Sequence, residues 1–205
     1  MSTHAANRVD VLPEAQAPLL IASPLAWIEG VMADFDCFLL DHAAAEKKAS
    51  GMALSMVSHY PDRPELVTAM TELAVEEMVH FREVVKWVQV RGLQLAPDQK
   101  DPYVLGMRDL MRQGSDLYLL DRLLTAALIE ARGAERFALV AEALEPGDLK
   151  TFYRSIARSE ERHYTLFLRL AAQYFSQDEI AQRWQELREA ESNIMSSLPI
   201  RPLLH

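Results

Sequence analysis

The chain has 205 residues, half of them hydrophobic and a quarter charged, with a formal net charge of −9 and a single cysteine, Cys37. That is enough apolar material for one sizeable core and too much for a disordered chain. The acidic balance gives no general support to nucleic-acid binding, and one cysteine excludes an internal disulfide and any metal site built from several thiolates. A reducing cytoplasm is the expected setting. No apolar run reaches the roughly 18 uninterrupted residues of a membrane span. Residues 1–20 lack a basic stretch followed by an apolar core, so no signal peptide is expected.

Residues 1–22 read as an extended lead-in. Ser23-Pro24 predicts a helix start, with serine as N-cap and proline at N1. Helical periodicity runs from about 24 to 59, with a break expected near Asp34, and Tyr60-Pro61-Asp62 ends it. Asp62 and Glu65 resemble a capping box, with Pro64 inside the permitted first turn. That second helix runs to about Arg91, where Gly92 supplies a left-handed C′ residue. Residues 93–101 form a connection. Asp101-Pro102 opens a short helix ending at Gly114, and Ser115 caps a third long helix to about Leu144. Glu145-Pro146-Gly147 is a turn, and Asp148 caps a fourth long helix to about Phe175. Ser176 and Glu179 form another capping box, starting a last helix to about Met195, and residues 196–205 form an irregular tail. No alternating strand pattern competes. The expectation is all-α: one domain over 23–195, with four long helices, a long crossover, and additional short and C-terminal helices.

Two stretches then raise one question. In AVEEMVHFREVV (74–85), Glu77 and His80 share a face with Met70, Leu73 and Val84. In RSEERHYTLF (158–167), Glu160 and His163 have the same spacing. Residues three apart lie on one helix face, so each pair can grip one metal. Each long-helix hairpin also carries a preceding glutamate: Glu46 stands 31 residues before Glu77 (77 − 46), and Glu130 stands 30 before Glu160 (160 − 130). A Glu from each of two helices and a Glu-x-x-His from each of two others is the donor set of di-iron sites in four-helix bundles. Two divalent cations would cancel the four carboxylate charges, which are otherwise costly to bury. Oxygen-rich ligation with one imidazole per metal suits iron or manganese, and spacing alone does not choose. Glu77 is preferred to Glu76, and Glu160 to Glu161, because histidine follows only the preferred residue by three. Glu135 is an alternative to Glu130 that spoils the matched spacing.

The remaining candidates carry less. His42, four before Glu46, reads as a satisfied core or rim histidine, with support of Glu46 as the alternative. His59 sits at a helix end, His4 and His205 fall in tails, and Tyr164 is a packing residue. Small residues near Glu46 (Ala43, Ala49, Ser50, Ala53) and near Glu130 (Ala126, Ala127, Gly133, Ala134) serve either close helix packing or a cavity beside the metals. Of these, Ala43, Ser50, Ala53, Ala127 and Gly133 are the expected substrate-cavity residues.

The segments DFDCFLLDHAAAEKKASGMALSMVSHYPD (34–62), ELAVEEMVHF (72–81), LIEARGAERFALV (128–140) and SEERHY (159–164) together resemble a known family. It is the bacterial tRNA hydroxylase family (MiaE-type) that acts on 2-methylthio-N6-isopentenyl-adenosine next to the anticodon. The resemblance spans roughly 24–195. It implies a ferritin-like fold, a centre of two iron ions, O2 as co-substrate, and hydroxylation of the isopentenyl group. Carried over residue by residue, the family's ligands fall on Glu46, Glu77, His80, Glu130, Glu160 and His163. It implies tRNA as partner and electrons from a separate donor protein, since neither a Gly-rich dinucleotide fingerprint nor a cysteine cluster is present. Where members of the family often have a cysteine before the first glutamate ligand, this chain has Ala45. A net charge of −9 requires a local basic patch for RNA. Lys47, Lys48, Arg132 and Arg136 are the expected contacts, whereas Arg154, Arg158, Arg162 and Arg169 read as a solvated or ion-paired stripe. A ferritin-like ferroxidase or storage subunit and a manganese catalase are the competing readings.

Overall fold

The computed structural model describes residues 17–205, so His4 and most of the expected lead-in lie outside the described residues. Seven helices follow in order: α1 (Leu25–Ala33), α2 (Phe35–His59), α3 (Pro64–Val90), α4 (Pro102–Asp109), α5 (Ser115–Ala143), α6 (Asp148–Tyr174) and α7 (Gln177–Ser197). There is no strand among the described residues.

The chain breaks at Asp34 as expected. Its backbone leaves the helical region at φ −137°, and its carboxylate accepts from the Cys37 N–H at 3.2 Å, capping α2. The reciprocal box of Ser176 and Glu179 forms at the start of α7, and Asp101 caps α4 through the N–H groups of Tyr103 and Val104. Other expected caps do not form. The N-cap of α1 is Pro24, and Ser23 instead donates its N–H and Oγ to the Glu135 carboxylate at 2.5 and 2.7 Å. The N-cap of α3 is Arg63, so Asp62 and Glu65 make no box. Ser115 and Asp148 are the first helical residues behind Gly114 and Gly147, without side-chain caps. At φ 70° and 107°, Gly92 and Gly114 occupy backbone conformations that residues with a Cβ rarely adopt. The short helix also stops at Asp109, five residues before Gly114.

Helices α2 and α3 pair as one hairpin, and α5 and α6 as a second. The crossover between the hairpins contains α4. Helix α1 packs on α5 and α2, and α7 covers α5, α4 and α6. The interior divides into two apolar clusters. One gathers Met56, Met70, Leu73, Leu119, Leu120, Leu123, Leu124, Leu128, Phe167 and Trp184. The other gathers Trp27, Phe38, Val84, Phe137, Tyr153 and Ile156. Each long helix crosses from one cluster to the other, so its central turn lies in a belt between them.

Two arginines expected at an RNA surface are interior struts instead. Arg132 is fully buried on α5. It donates Nε and Nη2 to Glu191 at 3.0 and 2.8 Å, Nη1 to Glu135 at 2.7 Å, and Nη2 to the Ile21 carbonyl at 3.0 Å. Arg136 reaches Ser23 Oγ at 3.0 Å and the Leu204 carbonyl, with its guanidinium 4.5 Å from the Trp27 ring centroid. They tie α7, residues 21–23 and the tail to α5. The tail is irregular yet docked: the Leu204 N–H donates to Asp41, and His205 stacks on Tyr103 and pairs with Asp101 at 2.9 Å. Removing Arg132 strands the buried Glu191 charge. Arg132→Met is therefore expected to destabilise the fold by about 3–5 kcal/mol, and the double variant Arg132→Met/Glu191→Met to recover part of that. Denaturant unfolding of the three proteins checks both.

Candidate metal centre

The belt between the apolar clusters holds six ionisable side chains. Glu46 comes from α2, Glu77 and His80 from α3, Glu130 from α5, and Glu160 and His163 from α6, and all six are buried. The antiparallel hairpins bring the middle turns of the four helices to one level. The i,i+3 spacing then turns each histidine beside its own glutamate: His80 Nδ1 lies 3.1 Å from Glu77 Oε2, and His163 Nδ1 lies 3.5 Å from Glu160 Oε2. Across helices, His163 Nδ1 lies 3.0 Å from Glu77 Oε1, and His80 Nδ1 lies 3.6 Å from Glu46 Oε2. The imidazole centroids are 5.8 Å apart.

Two overlapping groups can each hold a metal ion. Glu46, Glu77, His80 and Glu160 form one, and Glu77, Glu130, Glu160 and His163 the other, with donor atoms within 4.8 Å of one another in each. Glu77 and Glu160 belong to both. Buried donors inside the cluster go unsatisfied by the protein: Glu77 Oε1, Glu160 Oε1 and both ring nitrogens of His163 have no hydrogen-bond partner. The 3.0 Å approach of His163 to Glu77 thus lacks hydrogen-bond geometry. Buried ligand atoms that converge without protein partners fit a cation between them.

The electrostatics agree. Burial, with the charges of Glu160 and Glu77, pushes the Glu130 carboxyl well above its ordinary range. Burial and the Glu77 charge do the same to Glu160. Burial works against the charged imidazoles, but Glu46 and Glu77 hold His80 up at about 9, and Glu77 and Glu130 hold His163 there too. Burial also opposes ionisation of Glu46, yet His42 and His80 bring its carboxyl below the usual range.

Outside the six stand two supports. His42, fully buried, places Nε2 2.6 Å from Glu46 Oε1 and Nδ1 3.2 Å from the Tyr153 hydroxyl. It is a core histidine, and it also orients Glu46. Glu76 is the residue that spacing passed over. Its carboxylate lies 3.3 Å from His163 Nε2, and it accepts from Ser159 Oγ and, at 2.8 Å, from Arg162. Its i,i+4 approach to His80 is long, at 3.9 Å, and its nearer partners come from another helix. Glu135 stays away from the cluster, bound to Ser23 and Arg132.

A cavity of about 620 Å³ opens on the cluster, with Glu46, Glu77, Glu130 and Glu160 in its wall. Of the five expected cavity residues, Gly133 lines it, and the other four do not. Ala43 packs in the Trp27 cluster, Ala53 and Ala127 pack in the other, and Ser50 donates to the Ala74 carbonyl at 2.8 Å. The small residues that do line the cavity are Ala45, Ala49 and Ala126. Ala49 and Ala126 are next to expected residues and Ala45 is two from Ala43, and one residue turns the face by about 100°. Lys47 and Lys48 are exposed but engaged, donating to Asp98 at 2.8 Å and to the Gln99 carbonyl at 2.7 Å, and they pin the crossover against α2. Within the arginine stripe, Arg154 pairs with Glu142 and Arg162 with Glu76.

Comparison with known proteins fits this geometry. Over 189 residues the chain is 37% identical to the tRNA 2-(methylsulfanyl)-N(6)-isopentenyladenosine(37) hydroxylase of Pseudomonas putida, covering 92% of each chain. It is 36% identical over 157 residues to the protein of the same description from Salmonella typhimurium, covering 77% of this chain and 57% of that one. A solved structure from Synechococcus, described as protein 43 with aldehyde deformylating oxygenase activity, superposes with a TM-score of 0.87 at 34% identity, covering 91% of this chain and 94% of that one. The family model described as tRNA-(ms2io6A)-hydroxylase (MiaE) matches residues 10–205, and the chain belongs to that family.

Proposed function

We propose that this protein is an O2-dependent di-iron hydroxylase acting on the isopentenyl group of 2-methylthio-N6-isopentenyl-adenosine in tRNA. The observation that carries the reading is the six-residue cluster, with orphaned ligand atoms, whose four glutamates line a cavity large enough for a branched side chain. His80 and Glu46 would hold one iron and His163 and Glu130 the other, with Glu77 and Glu160 shared. The bound pair supplies O2 activation, with electrons from a separate donor protein. The chain's own contribution is positional. His42 and Glu76 orient Glu46 and His163, as supports behind ligands do. Ala45, Ala49, Ala126 and Gly133 leave room for the prenyl group, and Met52 and Ile129 help keep water from it. A Cβ at Gly133 would stand 3.8 Å from Glu160 Cγ, an ordinary contact, so the glycine adds space rather than relieving a clash.

The direct assay supplies iron-loaded, chemically reduced protein, O2 and prenylated tRNA, then digests the RNA for mass spectrometry. A one-oxygen gain on the modified nucleoside is expected. Its absence with full iron loading overturns the substrate.

Ligand roles are tested separately. His80→Ala or His163→Ala is expected to lower bound iron by about one ion per chain and to abolish turnover, since each histidine serves one metal. Glu130→Gln is expected to lose iron where Glu135→Gln keeps it, read by elemental analysis. The reverse pattern would exchange their roles.

Metal affinity should depend steeply on pH. His80 and His163, at about 9, hold protons near neutrality in the metal-free protein, and the Glu130 and Glu160 carboxyls are shifted upward, towards the protonated form. Metal must displace those protons. Affinity is therefore expected to rise from pH 6 towards 9, by about tenfold per pH unit for each proton released, and to level off above. Titration calorimetry in two buffers of different ionisation enthalpy counts the protons. Binding without proton release contradicts the buried cluster as ligand set.

A further inference from the structure

The same cavity contains a buried cation without a counter-charge. Arg122, on α5, is 8% exposed and lines the cavity. Its Nη2 donates to Ser55 Oγ at 3.3 Å, and its guanidinium lies 5.6 Å from the Tyr118 ring centroid. Its Nη1 has no hydrogen-bond partner. No carboxylate pairs with it among the described residues, and the acidic residues nearest in sequence are engaged elsewhere: Asp121 with Arg112 and Arg183, and Asp116 with Arg63. One turn further along, Thr125 is fully buried, lines the cavity, and leaves Oγ1 without a partner.

This is unlike the other arginines inside α5. Arg132 meets an acceptor with Nε, Nη1 and Nη2, and Arg136 is held by Ser23 and the Leu204 carbonyl. A buried guanidinium with no anion is costly, and Arg122 and Thr125 both belong to the lining of the cavity. The planar fork matches phosphate oxygens, and a hydroxyl beside it adds a further donor. Arg122 precedes the cluster residue Glu130 by eight positions, or ~12 Å along the helix. That separation suits one nucleotide, with its base-borne side chain at the cluster and its phosphate at the arginine.

We propose that Arg122, assisted by Thr125, is the receptor for a phosphate of the target nucleotide. This rests on the tRNA reading above, and names the contact that positions the nucleotide within that site.

The test uses iron-loaded protein without reductant, so that binding is read without turnover. Calorimetry compares prenylated adenosine, its 5′- and 3′-monophosphates, and unprenylated adenosine monophosphate. Wild type is expected to bind at least one prenylated monophosphate about tenfold or more tighter than the nucleoside, the scale of a charge-assisted hydrogen-bonded pair. Which monophosphate gains identifies the phosphate. In Arg122→Gln that preference should vanish while nucleoside affinity stays within about twofold, and Arg122→Lys should restore part of it. A structural role for Arg122 would move both affinities together. Equal affinity of wild type for nucleoside and both monophosphates overturns the proposal, as does a preference that survives Arg122→Gln, or no binding of any monophosphate. Should Arg122→Gln fail to fold, Thr125→Val takes its place, expected to weaken the monophosphate alone; an unchanged preference counts against the site. If unprenylated monophosphate binds as tightly as prenylated and the gain still needs Arg122, the phosphate receptor stands and the prenyl substrate falls.

Discussion

Everything in this bundle is arranged around four buried carboxylates that, without a cation, avoid mutual repulsion only by taking up protons. Glu46, Glu77, Glu130 and Glu160 share one belt with two imidazoles, and burial with mutual repulsion drives Glu130 and Glu160 towards the protonated form. Apolar clusters lie on either side of the belt. Along α2 the order is Phe38, Glu46, Met56. Along the antiparallel α3 it is Met70, Glu77, Val84. The register of each hairpin is thereby fixed twice, because a slip of one turn would set a carboxylate against leucine and an apolar side chain against the donors. Such consistency between apolar packing and polar placement is what selects one arrangement over near alternatives.

Orientation depends on an outer set of residues. His42 ties Glu46 to the Tyr153 hydroxyl deep in one apolar cluster. Glu76, half in solvent, ties His163 to Ser159 and Arg162 on the neighbouring turn. Each support joins a ligand-bearing helix to a side chain elsewhere, which fixes the aim of the ligand it touches. The cavity opens past Ala45, Ala49 and Gly133, which places free volume, rather than another side chain, beside the cluster.

The donor set was readable in the sequence because its logic is local. Glu-x-x-His is an i,i+3 pattern, and the 31- and 30-residue offsets follow from two hairpins of similar length. Helix ends marked by Gly92 or by the Ser176–Glu179 pair were readable for the same reason. What escaped was set by partners far along the chain. Ser23 looks like a cap and binds Glu135 instead. Arg132 and Arg136 look like surface cations until α7 and the tail close over them. Glu76 looks like a spare neighbour of Glu77 until α6 brings His163 to it. The cavity alanines were misplaced by one or two positions, since about 100° of rotation per residue separates a packing face from an open one, and composition does not state the angle.

Buried charge in this protein comes in two kinds, and the difference separates scaffold from site. The Arg132 guanidinium finds an acceptor for each of its nitrogens, and Asp121 is gripped by both Arg112 and Arg183. In these networks each cation is matched by a carboxylate, and they fix where α7 and the crossover sit. The glutamate–histidine cluster and Arg122 are open: Glu77, Glu160, His163 and Arg122 each keep a buried polar atom without a protein partner. The open atoms of the cluster are acceptors and ring nitrogens suited to cations, whereas that of Arg122 is a donor suited to an anion. Their residues line one cavity or, as His163 does, stand directly behind its wall. An acidic chain can take a polyanion as substrate on these terms. Its overall field gives no attraction at long range, so recognition falls to contacts completed only when the modified nucleotide is inside, and selectivity for that nucleotide follows from the same incompleteness.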